Sequence, residues 1–406
     1  MKILHINTSN AGGAATAAVR LHYGLLDAGI GSYFLFLNKE ENINIKNAYQ
    51  LPKFYPSVWQ RIMDRIGFKK LNYKRRSKLY SNAKGNFDVI SYPLSDYRVH
   101  RHHLYEAADI IHLHWIGDFV DFSSFFQYCK KPVVWTMHDK NPAMGCFHLS
   151  LDRLRENNLR DLDTKLSKRK SEILKTFKQL YLVSPSKALI KFSKESLSLH
   201  KFSHYHIYNS VDSNVFQDLS KFNVKQLLGL PQDKTIVLLF SYSLNIYHKG
   251  MSLFVESINN RTFSNLHFII VGTEFNLKQT KNTFTSYPYI HDKLLLNIFY
   301  STADLLLISS REENLPNVML EAMACGTSVL AFPIGGMLDV IQTGFNGILT
   351  ENISSEALIT ALVDLNCGKY NFNRKCIRDY AIQNFSLCNQ ASKYAQLYKK
   401  ILSQKT

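Results

Sequence analysis

The sequence predicts an α/β protein built from two Rossmann-like, doubly wound parallel-sheet domains facing across a cleft. Three observations carry this. A strand-helix rhythm runs from Ile3 to about residue 208 and then starts again at Thr235. The strand-like runs are continuously apolar, as in Leu305-Leu306-Leu307-Ile308, which suits strands buried on both faces. Finally, 406 residues of which 46% are hydrophobic fill two cores of ordinary size, whereas one continuous core would be unusually large.

In the first half, residues 3–7 read as a strand, 8–13 as a loop and 14–26 as a helix with small residues toward the strand. The loop ending in Gly12 and Gly13 suits a phosphate cradle or an acceptor loop, without the spacing of the dinucleotide fingerprint. Residues 33–37 read as the next strand, and 48–101 as a long polar and aromatic insertion of variable character. Runs at 110–115, 132–138, 180–183 and 206–208 continue the strand series. In the second half, strands are expected at 235–241, 266–272, 304–308, 328–332 and 347–349, with a helix starting after Lys249-Gly250. Helices near 355–365, 373–384 and 387–403 close the chain. The resulting domains are 1–208 and 209–385, followed by a terminal helix at 386–406.

The segment 309–327 is the most informative stretch. Its strand ends in a Ser-Ser-Arg-Glu-Glu-Asn loop, so Glu313 lies beyond the carboxyl end of a strand. Either Asn317 caps the following helix or Pro316 occupies its first turn, and both arrangements leave backbone N–H groups free there. Ligands of open α/β sheets bind at the carboxyl ends of strands, and helix N-termini favour anions. A nucleoside diphosphate fits such a loop. A carboxylate accepts two hydrogen bonds from vicinal hydroxyls, so Glu321 suits a ribose and Glu313 a sugar hydroxyl. The plainer reading is that both glutamates are helix-start residues complementing the macrodipole. Gly326, Gly335 and Gly336 at the turns on either side of the next strand bring backbone close to something.

The formal net charge is +17. Between Arg61 and Lys78 the basic residues Arg61, Arg65, Lys69, Lys70, Lys74, Arg75, Arg76 and Lys78 stand against Asp64 alone, with Trp59, Phe68 and Tyr73 interleaved. Basic amphipathic helices with aromatic side chains lie on anionic bilayers. A solvated face and a nucleic-acid surface are the other readings, and no recognition-helix, zinc-finger or single-strand-binding motif supports the last. No run of about 18 apolar residues occurs and no leader precedes the first strand, so the chain is expected to be neither secreted nor membrane-spanning. Six cysteines without a CxxC pair support neither a disulfide framework nor a structural zinc site, and fit a reducing cytosol.

Taken together, Glu313 and Glu321 eight positions apart within a run containing Pro316, Ala322 and Gly326, the Asn10 to Gly13 loop, His138 in Trp135-Thr136-Met137-His138-Asp139, Asn209-Ser210-Val211-Asp212 and Lys249-Gly250 resemble family 4 retaining glycosyltransferases of the GT-B fold. The resemblance covers nearly the whole chain. The stretch from Trp135 to Cys146 is also similar to a capsule and lipopolysaccharide subgroup. One departure concerns the basic pair of the donor phosphate site: Lys249 matches its lysine, but Ser243, Asn245 and His248 occupy the stretch where an arginine is usual. Lys249 and backbone N–H groups, or Arg311, would then hold the pyrophosphate.

The resemblance implies an acceptor-binding first domain, a nucleotide-sugar-binding second domain and a last helix packing back on the first. It implies catalytic roles for His138, Lys249 and Glu313. The donor would be held by Gly12, Gly13, Lys249, Glu313, Asn314, Leu315, Glu321, Gly335 and Gly336, with Met337 and Leu338 near the base or phosphates. His138 would contact the donor sugar and Asp139 would position the acceptor, while His112 and His114 read as strand-end packing residues. The implied reaction moves a hexose or N-acetylhexosamine from a UDP- or GDP-sugar, UDP favoured, to a lipid-linked or oligosaccharide acceptor in surface polysaccharide synthesis. The expected setting is cytoplasmic, at the inner face of the membrane. No DxD-like carboxylate pair stands by the diphosphate site, so neither a metal nor a cofactor beyond the donor is expected. Retaining hydrolases use two close carboxylates; here the departing phosphate oxygen would deprotonate the acceptor instead. A nucleotide-sugar epimerase on the same scaffold and a non-catalytic nucleotide-sugar or glycan-binding module are the alternatives.

Overall fold

The computed structural model describes residues 1–40, 43–66, 70–219, 221–241, 246–272 and 280–404. It divides into two compact units, Met1–Tyr208 with Gln390–Thr406, and Asn209–Asn389.

The first unit holds β1 (Lys2–Ile6), β2 (Gly31–Phe36), β3 (Ala48–Gln50), β4 (Ile110–Leu113), β5 (Val133–Thr136), β6 (Leu180–Ser184) and β7 (Ser203–His206). They form one sheet in the order β3-β2-β1-β4-β5-β6-β7, with parallel neighbours. Helices cover both faces, which is why Ile3, Leu4 and Ile6 are all fully buried. One face packs Ile3, Ile110, Val134 and Val183 against Leu21 and Leu25 of the Gly13–Asp27 helix and against Tyr394, Leu397, Tyr398 and Ile401 of the Leu387–Ser403 helix. The terminal helix thus belongs to the first unit's core, as expected. Full burial of each such side chain stabilises by roughly 1.5–3 kcal/mol. The opposite face packs Leu4, Ile6, Leu113 and Trp135 against Phe122, Phe125 and Phe126.

The second unit holds β8 (Thr235–Ser241), β9 (Leu266–Gly272), β10 (Thr283–Tyr287), β11 (Leu305–Ile308), β12 (Ser328–Ala331) and β13 (Gly347–Leu349), in the order β10-β9-β8-β11-β12-β13. Two edge strands escape the apolar pattern. In β10 the residues Thr283, Phe284 and Ser286 are exposed, and β3 is short and half exposed. The strand expected at 206–208 lies at Ser203–His206. The insertion contributes β3, then the Val58–Arg65 helix, whose Ser57 and Gln60 form a capping box, and the Asn72–Asn82 helix. Phe68 and Lys69 of the basic stretch lie outside the described residues. Among the described residues no helix is long and apolar enough to cross a membrane. All six cysteines are free thiols.

Strand order locates the candidate sites. In the second unit β8 lies between β9 and β11, so the connections leaving β8 and β11 diverge to opposite sides and open a crevice at their carboxyl ends. In the first unit the corresponding pair is β1 and β4.

Candidate functional site

Lys249 and Glu313 arrive on the two loops that leave β8 and β11. Lys249 ends a short 3-10 turn, and Gly250 follows in the left-handed region at φ 64° before the Met251–Asn260 helix begins. A Cβ at Gly250 would stand 1.9 Å from the Ser309 carbonyl oxygen, so only glycine fits. The Ser309 hydroxyl donates to the Lys249 carbonyl at 3.0 Å, and the Arg311 N–H to the His248 carbonyl at 2.7 Å. These contacts bring Lys249 Nζ onto Glu313 Oε1 as a hydrogen-bonded ion pair, with the Ser310 hydroxyl donating to the same oxygen at 3.2 Å. Burial pushes the Glu313 carboxyl up, but the Lys249 charge and hydrogen bond, helped by His248 and Ser310, outweigh it and hold the carboxyl below its ordinary value. Arg311 braces the loop, with its guanidinium 4.2 Å from the Tyr247 ring centroid and donating to Tyr247 O and Ser252 Oγ. Ser243 and Asn245 lie outside the described residues.

Pro316 stands at the N-cap position of the Asn317–Ala324 helix, and Asn317 is its first residue. A proline has no capping side-chain atom, and the loop of Glu313, Asn314 and Leu315 leads directly into this helix start, where the Met319 N–H donates to Pro316 O at 3.2 Å. Glu321, one turn in, is buried and accepts a 2.8 Å hydrogen bond from the Tyr300 hydroxyl, a partner the sequence did not suggest. The Leu315 carbonyl accepts from Asn209 Nδ2 at 3.2 Å, tying the Asn209-Ser210 segment to the same loop. Gly335, at φ 49°, and Gly336 press directly on it. A Cβ at Gly335 would meet Glu313 O at 2.1 Å, one at Gly336 would meet Leu315 Cδ1 at 2.6 Å, and the Gly336 N–H donates to Asn314 O. Met337 is buried in the short helix that follows, and Leu338 is exposed. The second unit therefore gathers Lys249, Glu313, Asn314, Leu315, Gly335 and Gly336 at one place, with Glu321 on the helix immediately behind.

In the first unit His138 follows β5, and its Nε2 lies 3.2 Å from His114 Nδ1. Burial lowers the His138 pKa to about 4 despite the opposing effect of Asp139, so the ring is neutral. Asp139 is held by the Trp115 indole N–H at 2.9 Å, by His148 Nδ1 at 2.6 Å and by the Asn141 N–H at 2.9 Å. Burial opposes its charge, but His148 and the hydrogen bonds prevail and keep its pKa below the ordinary value. Gly12, at φ 92°, and Gly13 open the Gly13–Asp27 helix, and nothing lies within 4 Å of a Cβ at either.

The expectation of metal independence is corrected by a histidine cluster. His5 on β1 pairs with His112 on β4, and His114 follows two residues later on the same face. The three rings are buried and offer ligand nitrogens all within 4.8 Å of one another, a set that can hold a metal ion. The lack of a DxD-like carboxylate pair bears on the second unit alone, whereas this set is made of imidazoles in the first. His112 and His114 do sit in the packed interior, but beside a third imidazole. The H-x-H spacing at 112 and 114 signals two rings on one strand face, whereas His5 becomes their neighbour only through the pairing of β1 with β4.

Comparison with known proteins fits this geometry. Residues 235–366 match the family model described as glycosyl transferases group 1. Over that third of its length the chain is similar to the group 1 glycosyltransferases. A glycogen synthase from Thermodesulfovibrio yellowstonii is 28% identical over 171 residues, 39% of this chain and 34% of that one. An uncharacterized 41.2 kDa protein of the Klebsiella pneumoniae cps region is 24% identical over 37% of this chain and 43% of its own. The chain thus spans about a third to two fifths of these curated relatives. Among solved structures, sucrose-phosphate synthase from Thermosynechococcus elongatus covers 100% of both chains at TM-score 0.72 and 16% identity. Anabaena HepE in complex with UDP and glucose covers 98% of this chain and 99% of its own at TM-score 0.63 and 16% identity. WaaG, a glycosyltransferase involved in lipopolysaccharide biosynthesis, covers 97% and 99% at TM-score 0.57 and 16% identity. The fold is accordingly GT-B, with two Rossmann-like units.

Proposed function

We propose that the chain is a retaining glycosyltransferase, moving a hexose or N-acetylhexosamine from a UDP- or GDP-sugar to a lipid-linked or oligosaccharide acceptor in bacterial surface polysaccharide synthesis. The observation that carries the reading is the Lys249–Glu313 pair in front of the Asn317–Ala324 helix start, with Glu321 one turn inside. A departing diphosphate gains negative charge as the glycosidic bond breaks, and a fixed ammonium and helix N–H groups stabilise it more in the transition state than in the ground state. In this reading Lys249 turns from Glu313 toward the phosphates when donor binds, freeing the carboxylate to accept from sugar hydroxyls. Glu321 accepts from the ribose. Gly12 and Gly13 leave the space above their Cα atoms open to donor or acceptor. His138, neutral at physiological pH, donates or accepts one hydrogen bond to the donor sugar without adding charge, and the leaving phosphate oxygen takes the acceptor's proton. UDP is favoured as the nucleotide, as in the HepE complex.

A membrane-surface acceptor is supported by the Val58–Arg65 helix. Trp59 is 74% exposed and Ile66, just past its end, 66% exposed, beside Arg61 and Arg65. Apolar side chains left in water next to arginines suit an anionic headgroup layer, which supports the reading of a protein working at the cytoplasmic face of a membrane.

The test is nucleotide release from UDP- and GDP-hexoses with and without lipid-linked glycan acceptors. Acceptor-dependent release with retained anomeric configuration is expected. Donor binding without turnover on any acceptor would favour a binding module, and isomerised donor without acceptor would favour an epimerase.

A further inference from the structure

We propose that His5, His112 and His114 form a binding site for one divalent cation of the zinc class in the first unit. The three rings come from β1 and β4, the two strands at this sheet's switch point, and lie under the Leu387–Ser403 helix. His5 Nδ1 and His114 Nε2 face each other at 2.9 Å, and the His5 and His112 ring centroids are 4.9 Å apart. His5 is fully buried, and its Nε2 has no hydrogen-bond partner among the described residues. That nitrogen lies outside the ligating pair: a cation on His5 Nδ1 and His114 Nε2 would replace the proton they share, with the His5 proton then on Nε2, the His114 proton on Nδ1 and both rings neutral.

Imidazole donors without a carboxylate select zinc, cobalt, nickel or copper over magnesium or calcium. Burial holds all three rings well below the ordinary imidazole range, so they are present in the neutral, ligating form. Zinc-nitrogen bonds of about 2.0–2.1 Å set tetrahedral ligand nitrogens about 3.3 Å apart, so His5 Nδ1 and His114 Nε2, now at 2.9 Å, must part slightly while the His112 nitrogen draws in. His112 must also release one of its two 2.7 Å hydrogen bonds, to the Tyr398 hydroxyl at Nδ1 or to Thr136 Oγ1 at Nε2. Ligation through His114 Nε2 leaves the proton on Nδ1, which donates to His138 Nε2. The cation would thus fix the His138 ring in the tautomer protonated at Nδ1, as outer hydrogen bonds do around other metal-bound histidines.

The test uses the full chain stripped with chelator and titrated with Co²⁺, then Zn²⁺. Binding of one equivalent is expected, with a visible d–d band that Zn²⁺ displaces and a rise in Tm of about 5 °C at a hundredfold excess over Kd. His5→Gln and His114→Gln should each weaken binding at least tenfold. Tyr398→Phe, which frees His112 Nδ1 and removes no ligand, should bind as tightly or more so, keeping the test decisive if a histidine variant fails to fold. Less than a tenth of an equivalent bound without a Tm shift, weakened binding in Tyr398→Phe, or unchanged binding in folded histidine variants would overturn the proposal. Because none of these readings involves a sugar nucleotide, the site can fail while the transferase reading stands.

Discussion

Glycines occur at both candidate sites, and the space above them differs. In the second unit a Cβ on Gly250 or Gly335 would strike a carbonyl oxygen at 1.9 or 2.1 Å, so these glycines let two loops of the protein touch. In the first unit nothing comes within 4 Å of a Cβ on Gly12 or Gly13. A motif glycine can therefore mark contact of the protein with itself or room for something else, and the letters alone do not separate the two. The sharpest break of this contrast is Gly335→Ala. It combines a left-handed φ with a backbone collision and should destabilise the second unit by roughly 3 kcal/mol or more. Denaturant unfolding followed by hydrogen exchange in each unit checks it, and a wild-type midpoint would mean the loops part freely.

The two sites also differ in charge. The second unit keeps Lys249 and Glu313 as an ion pair, while the first keeps His138 neutral through burial. If the donor's diphosphate is met by the charged site, Lys249→Ala should lower transfer about 10²–10³-fold, the range for removing one preorganised donor from a developing anion. Turnover measured on protein whose circular dichroism matches wild type is the check. A loss under twofold would detach the pair from the chemistry.

Acid exposes the same pair. Because the folded Glu313 pKa is lowered, its contribution to stability is fully present above the unfolded value near 4.5 and is lost as pH falls through the folded one. Lys249→Met removes the cation and leaves burial, which raises the carboxyl. The sign then reverses, and stability is lost as pH rises instead. The difference should be on the order of 1 kcal/mol between pH 4 and 6, read from unfolding midpoints of the two proteins. Parallel pH profiles would show that Lys249 does not set the state of Glu313.

Both sheets were legible because strands covered on two faces must be apolar throughout, as in Leu305-Leu306-Leu307-Ile308. Of the edge strands β13 was legible and β10 was not: it carries Thr283, Thr285 and Ser286, whose polarity is permitted by the strand's exposure. At the second unit's candidate site the motif and its lysine singled out Lys249, Glu313 and Glu321, but Tyr300 was invisible as the partner of Glu321, since it comes from another helix that only the tertiary fold brings alongside. The histidine cluster was least legible. His5 and His112 are 107 positions apart and meet through strand pairing, which no local spacing encodes.

The smallest expected effect sharpens the comparison most. Gly13 is the first residue of its helix, its φ lies outside the left-handed region, and a methyl group there meets nothing. Gly13→Ala should leave stability unchanged or raise it by up to about 1 kcal/mol, because alanine restricts the unfolded chain and favours the helix. Gly12→Ala should instead lose about 1 kcal/mol, since φ 92° strains any side chain. Stability therefore reports on the backbone in one variant and on nothing in the other. If transfer falls severalfold in Gly13→Ala while Tm holds, the open space above that loop is where donor or acceptor lies; if transfer is unchanged, that space is not used by the reaction, and the loop's glycines answer only to the turn that Gly12 makes.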